Sequence, residues 1–418
     1  MDKPNLAEKF FAEAAAPASR DNPYPHYEEY RSRGALLKAG GSTWLSFAHT
    51  DITMLLRHPK LSMSADRADA PVAQPPTGAF RYRNLLSMDP PDHTRLRSLV
   101  SHAFTARRVQ GLRGAVEQST RKLIDRMKYA VAANEPVDII DALAYPLALH
   151  TICTVLRAPH SDAADLGRWS RSVVRGVDPV MLRSPGQDAE ILADAGDLTT
   201  YLEHLLALRR RDPGGDLLSA LVTVQSEADR LTSAELVNLA RLLLVAGHET
   251  TANLIGNGIL ALLRHPDQMA LLKKSPGLID TAIDELLRFD SPVQQLQRVV
   301  TEDLDLGGHR LSAGDQIILV TGAANRDPSV FTRPHLLDVT RDARHHLSFG
   351  GGIHFCLGSA LARMEGQIAL RELITAFPDL DLAGAPVRRP TFSLRGLESL
   401  PVYLNRQKPC TSAAAPGH

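Results

Sequence analysis

Cysteine is scarce in this chain. Its three residues of that type, Cys153, Cys356 and Cys410, lie far apart, which excludes a disulfide framework and a zinc centre of finger-like spacing. Net charge is also missing, because 47 lysines and arginines balance 47 aspartates and glutamates. No global field therefore draws the chain to nucleic acid or a membrane surface, and a small molecule is the expected partner. No apolar run is long enough to span a bilayer, and Met1 to Lys9 contain no apolar signal region, so a cytoplasmic protein without a membrane anchor is expected. Internal repeats and linkers rich in Pro, Gly and Ser are absent too. Residues 1–406 are expected to form a single domain followed by a disordered tail, 407–418.

What is present is enough apolar material, 44% of 418 residues, to bury a large core. Helical periodicity dominates, over Pro25–Arg33, Thr50–Arg57, Arg95–Phe104, Arg108–Ala132, Asp141–Leu156, Asp188–Arg211, Ser233–Arg264, Pro266–Lys273, Pro276–Phe289 and Ser359–Ala376. Strand signals are fewer. Ala35–Phe47 reads as a hairpin around Gly40 and Gly41, Arg298–Val320 as strands turning at Gly307-Gly308 and Gly314, and Phe392–Leu404 as a last weak strand region. The fold class is therefore mainly α with small mixed β-sheets. Pro75 to Gly78 lie in a long irregular stretch of the kind that serves as a lid or binding loop.

Phe349 to Gly358 read Phe-Gly-Gly-Gly-Ile-His-Phe-Cys-Leu-Gly, a glycine-rich loop that brings Cys356 to the start of a helix. Unpaired N–H groups and the helix dipole converge there, so a stabilised thiolate is expected. Such a group can be a nucleophile, a zinc ligand or the axial ligand of a haem iron. Zinc lacks its other ligands, and a dinucleotide loop fails because Phe355 stands where its last glycine should be. A glycine turn before a helix, with a buried cysteine, is the plain structural alternative.

The segment resembles, at every fixed position, the haem-binding signature of the cytochrome P-450 family, phenylalanine-glycine-x-glycine-x-histidine-x-cysteine-x-glycine. The resemblance implies that Cys356 ligates iron, that Phe349 packs beside it, and that Gly350, Gly352 and Gly358 let the backbone approach sulfur and porphyrin. It implies haem b as the cofactor. A thiolate pushes electron density onto iron and favours O–O cleavage.

Within Leu242 to Ala252, four consecutive polar residues, His248 to Thr251, interrupt an otherwise apolar helix. His248-Glu249 is no zinc-protease motif, since Ala252 holds the position of the second histidine. A Thr250 hydroxyl bonded back to the Ala246 carbonyl would satisfy the threonine without any chemistry. In the family, alanine-glycine-x-acid-threonine marks the helix over the distal haem face, and Ala246, Gly247, Glu249 and Thr250 match it. The resemblance implies that Gly247 makes room for dioxygen, that Thr250 bonds the oxygen at iron, and that Glu249 relays protons from solvent.

Glu285 and Arg288, three apart on one helical face, read alone as a surface ion pair. The family uses this pair with a third arginine, here Arg341, as a buried brace, although Leu337 stands where the family usually has phenylalanine. Haem carries two propionates; the resemblance assigns them to His93 and Arg97, four apart on a helix, to Arg298, and to His346 or its neighbour His345.

Resemblance over nearly the whole chain implies one haem-thiolate monooxygenase domain, a monomer, inserting one oxygen atom of dioxygen into a C–H or C=C bond. Electrons would come from NAD(P)H through a ferredoxin, or a flavodoxin, and its reductase. The alternatives are an oxidase or desaturase in the same fold and a non-catalytic haem-thiolate sensor or ligand carrier. Candidate substrate contacts are Arg81 to Leu86, Leu243, Ala246, Val293, Gln294, Leu296 and Leu394, with Gln295 and Gln297 as further hydrogen-bonding groups; the set suits a sizeable, mostly apolar secondary metabolite. Arg107, Arg108, Arg113, Arg121 and Lys122 form a local basic cluster that reads either as a solvated face or as a docking surface for an acidic ferredoxin.

Overall fold

The computed structural model describes residues 5–69, 84–133, 135–214, 217–226 and 231–405. The expected loop at Pro75 to Gly78, Arg81 of the candidate pocket, Cys410 and the tail 407–418 lie outside these residues.

The helices that place the site are α1 (Asp92–Ala103), α2 (Tyr145–Leu156), α3 (Ala163–Arg175), α4 (Pro185–Arg211), α5 (Ser233–Arg264), α6 (Ile279–Phe289) and α7 (Ser359–Ala376). At 32 residues, or about 48 Å, α5 is the axis, and α2, α3, α4, α6 and α7 all pack on it. Its start is set by a reciprocal cap. Thr232 accepts from the Glu235 N–H at 3.1 Å, and the Glu235 carboxylate accepts from the Thr232 N–H at 2.7 Å. His265 ends it, and Pro266 opens the next helix. No helix among the described residues is long and apolar enough to cross a membrane.

A five-stranded sheet flanks the helices. Its strands are β1 (Leu36–Gly40), β2 (Thr43–Ser46), β3 (Leu61–Ser62), β4 (Leu296–Val300) and β5 (Gln316–Leu319), in the order β1-β2-β5-β4-β3. Only β2 and β5 pair in parallel. In the antiparallel β4–β5 ladder Arg298 stands opposite Ile317. The main apolar cluster surrounds α5. A second, aromatic one of Phe10, Phe11, Tyr27, Tyr30 and Phe47 seals the sheet.

Three described helices of ten or more residues escape the periodicity reading, Leu6–Ala15, α3 and Leu217–Ser226. Two expected boundaries also shift. The segment expected as one helix over Arg108–Ala132 is two, Ala106–Gly111 and Arg113–Ala133, the first capped by the Thr105 hydroxyl. The expected start at Asp141 falls in a wide π-type turn, Ile140–Ala144, that leads into α2. Pro146 explains it, because its nitrogen cannot donate back to the preceding turn.

Candidate active site

The loop that carries Cys356 is held in shape by two left-handed glycines, Gly350 at φ 66° and Gly352 at φ 65°. At Gly352 a side chain is also blocked in space, since its Cβ would lie 2.3 Å from the Leu56 carbonyl oxygen. The Cys356 N–H donates to the Phe349 carbonyl at 3.0 Å, which closes the loop back on its own first residue. The backbone N–H groups of Gly358 and Ser359 and the charges of Arg97 and Arg363 act to lower the Cys356 pKa, as expected of a helix start, but burial outweighs them and pushes the thiol up. The protein's own N–H groups therefore do not by themselves keep the sulfur ionised. A bound cation would reverse that balance.

Beside this sulfur four nitrogen-bearing side chains converge. Arg97 donates to the Phe355 carbonyl at 2.7 Å. The His93 ring lies 4.2 Å, centroid to centroid, from His354, and His93 Nε2 and His354 Nδ1 are buried without partners. Arg298 is buried, and among the described residues its guanidinium meets only the Met63 sulfur and the Gln297 carbonyl. Among the described residues no carboxylate pairs with Arg97 or Arg298. All four groups are pushed toward neutrality, each chiefly by burial. His354 is driven down to about 3, with His93 and Arg298 adding to burial, His93 is lowered further by Arg97, and Arg298 falls to about 10. Asp89 opposes these shifts at His93, His354 and Arg298. Two arginines and two imidazoles with spare donors, crowded beside a cysteine, form a cradle for a ligand with two negative groups. The residues present thus fit a haem with its propionates.

His346 does not belong to this cradle. Its Nε2 faces the Asp284 carboxylate at 3.4 Å and its Nδ1 accepts from the Ser348 N–H at 3.1 Å. His345 is exposed. The histidine beside His93 is His354, and the signature itself carried the signal, two residues before the cysteine.

Below the loop, Glu285, Arg288 and Arg341 come together as expected. Glu285 and Arg288 are fully buried, bonded at 2.6 and 2.8 Å, and Arg341 Nε reaches Glu285 at 3.2 Å. Arg288 also donates to the carbonyls of Asn325, Pro334 and Leu336, and Leu337 is buried beside the network. Removing one partner strands a buried charge. Glu285→Ala is expected to cost about 3–5 kcal/mol of unfolding free energy, measurable by chemical denaturation.

On α5 each of the four polar residues has a partner. Burial keeps His248 neutral. Its Nδ1 faces the Leu244 carbonyl at 2.9 Å, and its Nε2 lies 3.0 Å from the Tyr145 hydroxyl, which donates to the Gly167 carbonyl at 3.0 Å. Thr250 donates to the Ala246 carbonyl at 2.8 Å and Thr251 to Gly247 at 3.0 Å. The Thr250 back-bond weighed as the plain alternative is thus present. Glu249 is 1% exposed. One of its oxygens is ion-paired with Arg389 and the other is buried without a hydrogen-bond partner. Nothing in the sequence near α5 signalled Arg389, which arrives from the C-terminal segment.

Two expected contacts are corrected. A Cβ on Gly247 would lie 2.8 Å from Ile152 Cδ1, so this glycine lets α2 approach α5 and is turned away from the open face. That face carries Ala246, which is exposed, and Thr250, which is half-buried. Gln294 is withdrawn from any pocket. Its Oε1 accepts from Tyr27 at 3.0 Å and its Nε2 donates to the Ser291 carbonyl at 2.6 Å, in a space left by Gly322, whose Cβ would come within 2.3 Å. Gln295 bonds Ser393, and Gln297 accepts from Gln316. Of the three amides, that of Gln297 ties two strands together, β4 and β5. Leu296 packs toward the sheet cluster with Leu56, whereas Val293 and Leu394 meet as an isolated bridge and Leu243 is buried. Leu85 is buried and Leu86 exposed.

A family profile described as Cytochrome P450 matches residues 179–382. The chain is 43% identical over 326 residues to 6-deoxyerythronolide B hydroxylase of Saccharopolyspora erythraea, covering 77% of this chain and 78% of that protein. It is 39% identical over 394 residues to cytochrome P450 monooxygenase PikC of Streptomyces venezuelae, covering 92% of each. Among solved structures, ligand-free CYP164A2 of Mycobacterium smegmatis superposes with a TM-score of 0.85 or better, at 0.87, with 35% identity over 94% of this chain and 99% of that one.

Proposed function

The chain belongs to the cytochrome P450 family, a family of monooxygenases, and from that premise we propose that it inserts one oxygen atom of dioxygen into a C–H or C=C bond of a sizeable, mostly apolar small molecule. The observation that carries this reading is the convergence of Arg97, Arg298, His93 and His354 beside Cys356, cations and donors that no carboxylate among the described residues pairs.

Cys356 would hold the iron of haem b, while Arg97, Arg298, His93 and His354 would hold its propionates. When bound, a haem-thiolate supplies the activation of dioxygen. The rest is the work of the chain. Ala246 and Thr250 lie on the open face of α5, which would be turned toward the reacting end of the site. The Thr250 hydroxyl, parked on the Ala246 carbonyl, can rotate to donate a proton at Oγ1. Glu249 can carry protons on the oxygen that Arg389 leaves free. Leu243, Val293 and Leu394 give the substrate an apolar wall. Gln294 is engaged elsewhere and Gln295 keeps a single unpartnered oxygen, Oε1, so the substrate is recognised mainly by shape. The relative that hydroxylates 6-deoxyerythronolide B supports a secondary metabolite as substrate.

Turnover with NAD(P)H, a surrogate ferredoxin and reductase, and isotopically labelled dioxygen tests this reading. One labelled atom should appear in product, and unlabelled product would overturn it.

Electrons would enter through a ferredoxin or flavodoxin. Arg107, Arg108, Arg121 and Lys122 are exposed, on helices that pack against α7. Arg113 and Arg121 are partly offset by Glu117, and Arg121 also by Glu372, while Arg107, Arg108 and Lys122 make no ion pair among the described residues. For an acidic partner, the second-order reduction rate should fall with added salt and several-fold in an Arg107→Ala, Arg108→Ala variant. Stopped-flow reduction that responds to neither would place docking elsewhere.

A further inference from the structure

His346, displaced from the cradle, lies in an arrangement of its own. Asp284 on α6 accepts from Arg363 Nε on α7 at 2.7 Å and faces His346 Nε2 at 3.4 Å. The Arg363 guanidinium carbon stands 4.6 Å from the centroid of the Phe349 ring. That ring lies between His346, 5.4 Å away, and Phe355, 6.3 Å away, and the carbonyl of the same Phe349 takes the Cys356 N–H.

A guanidinium over an aromatic face is attracted by the ring and is weakly hydrated there, so its field reaches further than that of a solvated lysine. Arg363 is 28% exposed on its side chain and could have been directed into solvent. Instead a half-buried carboxylate and a buried histidine fix it against the one ring that precedes the thiol loop. Burial holds His346 neutral, so the carboxylate is free to pair with Arg363. The field of Arg363 is also among those that favour the ionised form of Cys356.

We propose that Asp284 and His346 clamp Arg363 over Phe349 so that its charge raises the reduction potential of the iron that Cys356 would bind. The proposal rests on the haem-thiolate reading. These three are positioning residues, acting through Phe349 and the sulfur. One-electron reduction adds a negative charge to the centre, and a nearby cation favours the reduced form. A unit charge on the order of 10 Å away, at an effective dielectric constant of about 20, moves such an equilibrium by about tenfold.

Potentiometric titration of the haem-loaded protein, paired with the spectrum of its ferrous carbon monoxide complex, tests this. Arg363→Gln should keep the red-shifted thiolate band and lower the reduction equilibrium constant about tenfold, ~59 mV for one electron. Arg363→Lys, which keeps charge and can keep the Asp284 bond, should stay within about threefold of wild type by the same Coulomb argument. Asp284→Asn removes an anion as well as the clamp, so its shift of the potential should differ between the wild-type and Arg363→Gln backgrounds. Three results overturn the proposal: an unchanged potential in Arg363→Gln, equal losses in the Gln and Lys variants, or an Asp284→Asn shift of the same size in both backgrounds. Absence of the thiolate band in wild type would instead remove the premise, and the proposal with it.

Discussion

Cys356→Ser is expected to abolish the red-shifted absorption of the ferrous carbon monoxide complex while leaving the fold in place. The substitution is nearly isosteric, and what fastens the loop is the backbone. The 3.0 Å bond from residue 356 to Phe349 uses a main-chain N–H, and the left-handed turns belong to Gly350 and Gly352. Only the chemistry of the ligand changes. A serine hydroxyl ionises far less readily than a thiol, and without an anionic sulfur the electron donation behind the band shift is lost. Cys153→Ser is the control. That thiol is buried on α2 and its pKa is pushed up to about 12 by burial, so it packs as a small apolar group and its loss should leave the band untouched. An unchanged band in Cys356→Ser would dismiss Cys356 as the ligand.

The contrast between those two cysteines also shows what the sequence could disclose. Cys356 was legible because its loop, its helix and its motif are contiguous; α7 begins at Ser359 and α5 at Ser233 as periodicity indicates. The brace of Glu285, Arg288 and Arg341 was legible only through resemblance, since three apart on a helix describes countless surface pairs. Contacts between distant segments left no local trace. Arg389 meets Glu249 across 140 positions of chain, and Arg363 reaches Asp284 across 79. Side-chain direction was hidden as well. Gln294 looked like a pocket residue because it sits in the stretch Val293 to Leu296 that leads to Arg298, but the missing side chain of Gly322 opens a space on the other side, and the amide turns there to meet Tyr27. Gly247 was read as room for oxygen, whereas the neighbour it admits is Ile152 of α2.

Thr250→Ala is expected to leave haem, fold and substrate binding intact while disconnecting NAD(P)H oxidation from product. The hydroxyl bonds only the Ala246 carbonyl within its own helix, and such a back-bond contributes little to stability, so its removal should be silent in a melting curve. If Thr250 donates the proton that commits dioxygen to chemistry, electrons will instead be lost as hydrogen peroxide, and product per NAD(P)H will fall steeply. Positioned acid–base groups contribute about a hundred- to ten-thousand-fold, so partial rescue by water would still leave a large defect. Glu249→Gln should differ in kind. One Glu249 oxygen is taken by Arg389 and the other lacks a partner, so the amide preserves shape but cannot carry a proton, and turnover should slow with less loss of coupling. Arg389→Gln then separates the two roles. Freed from its ion pair, Glu249 would keep its proton-carrying oxygen, so coupling should exceed that of Thr250→Ala when peroxide and product are measured in the same reaction. Full coupling in Thr250→Ala would mean that a hydroxyl of the substrate supplies the missing donor, or that protons reach the site without this threonine; a substrate lacking that hydroxyl distinguishes the two.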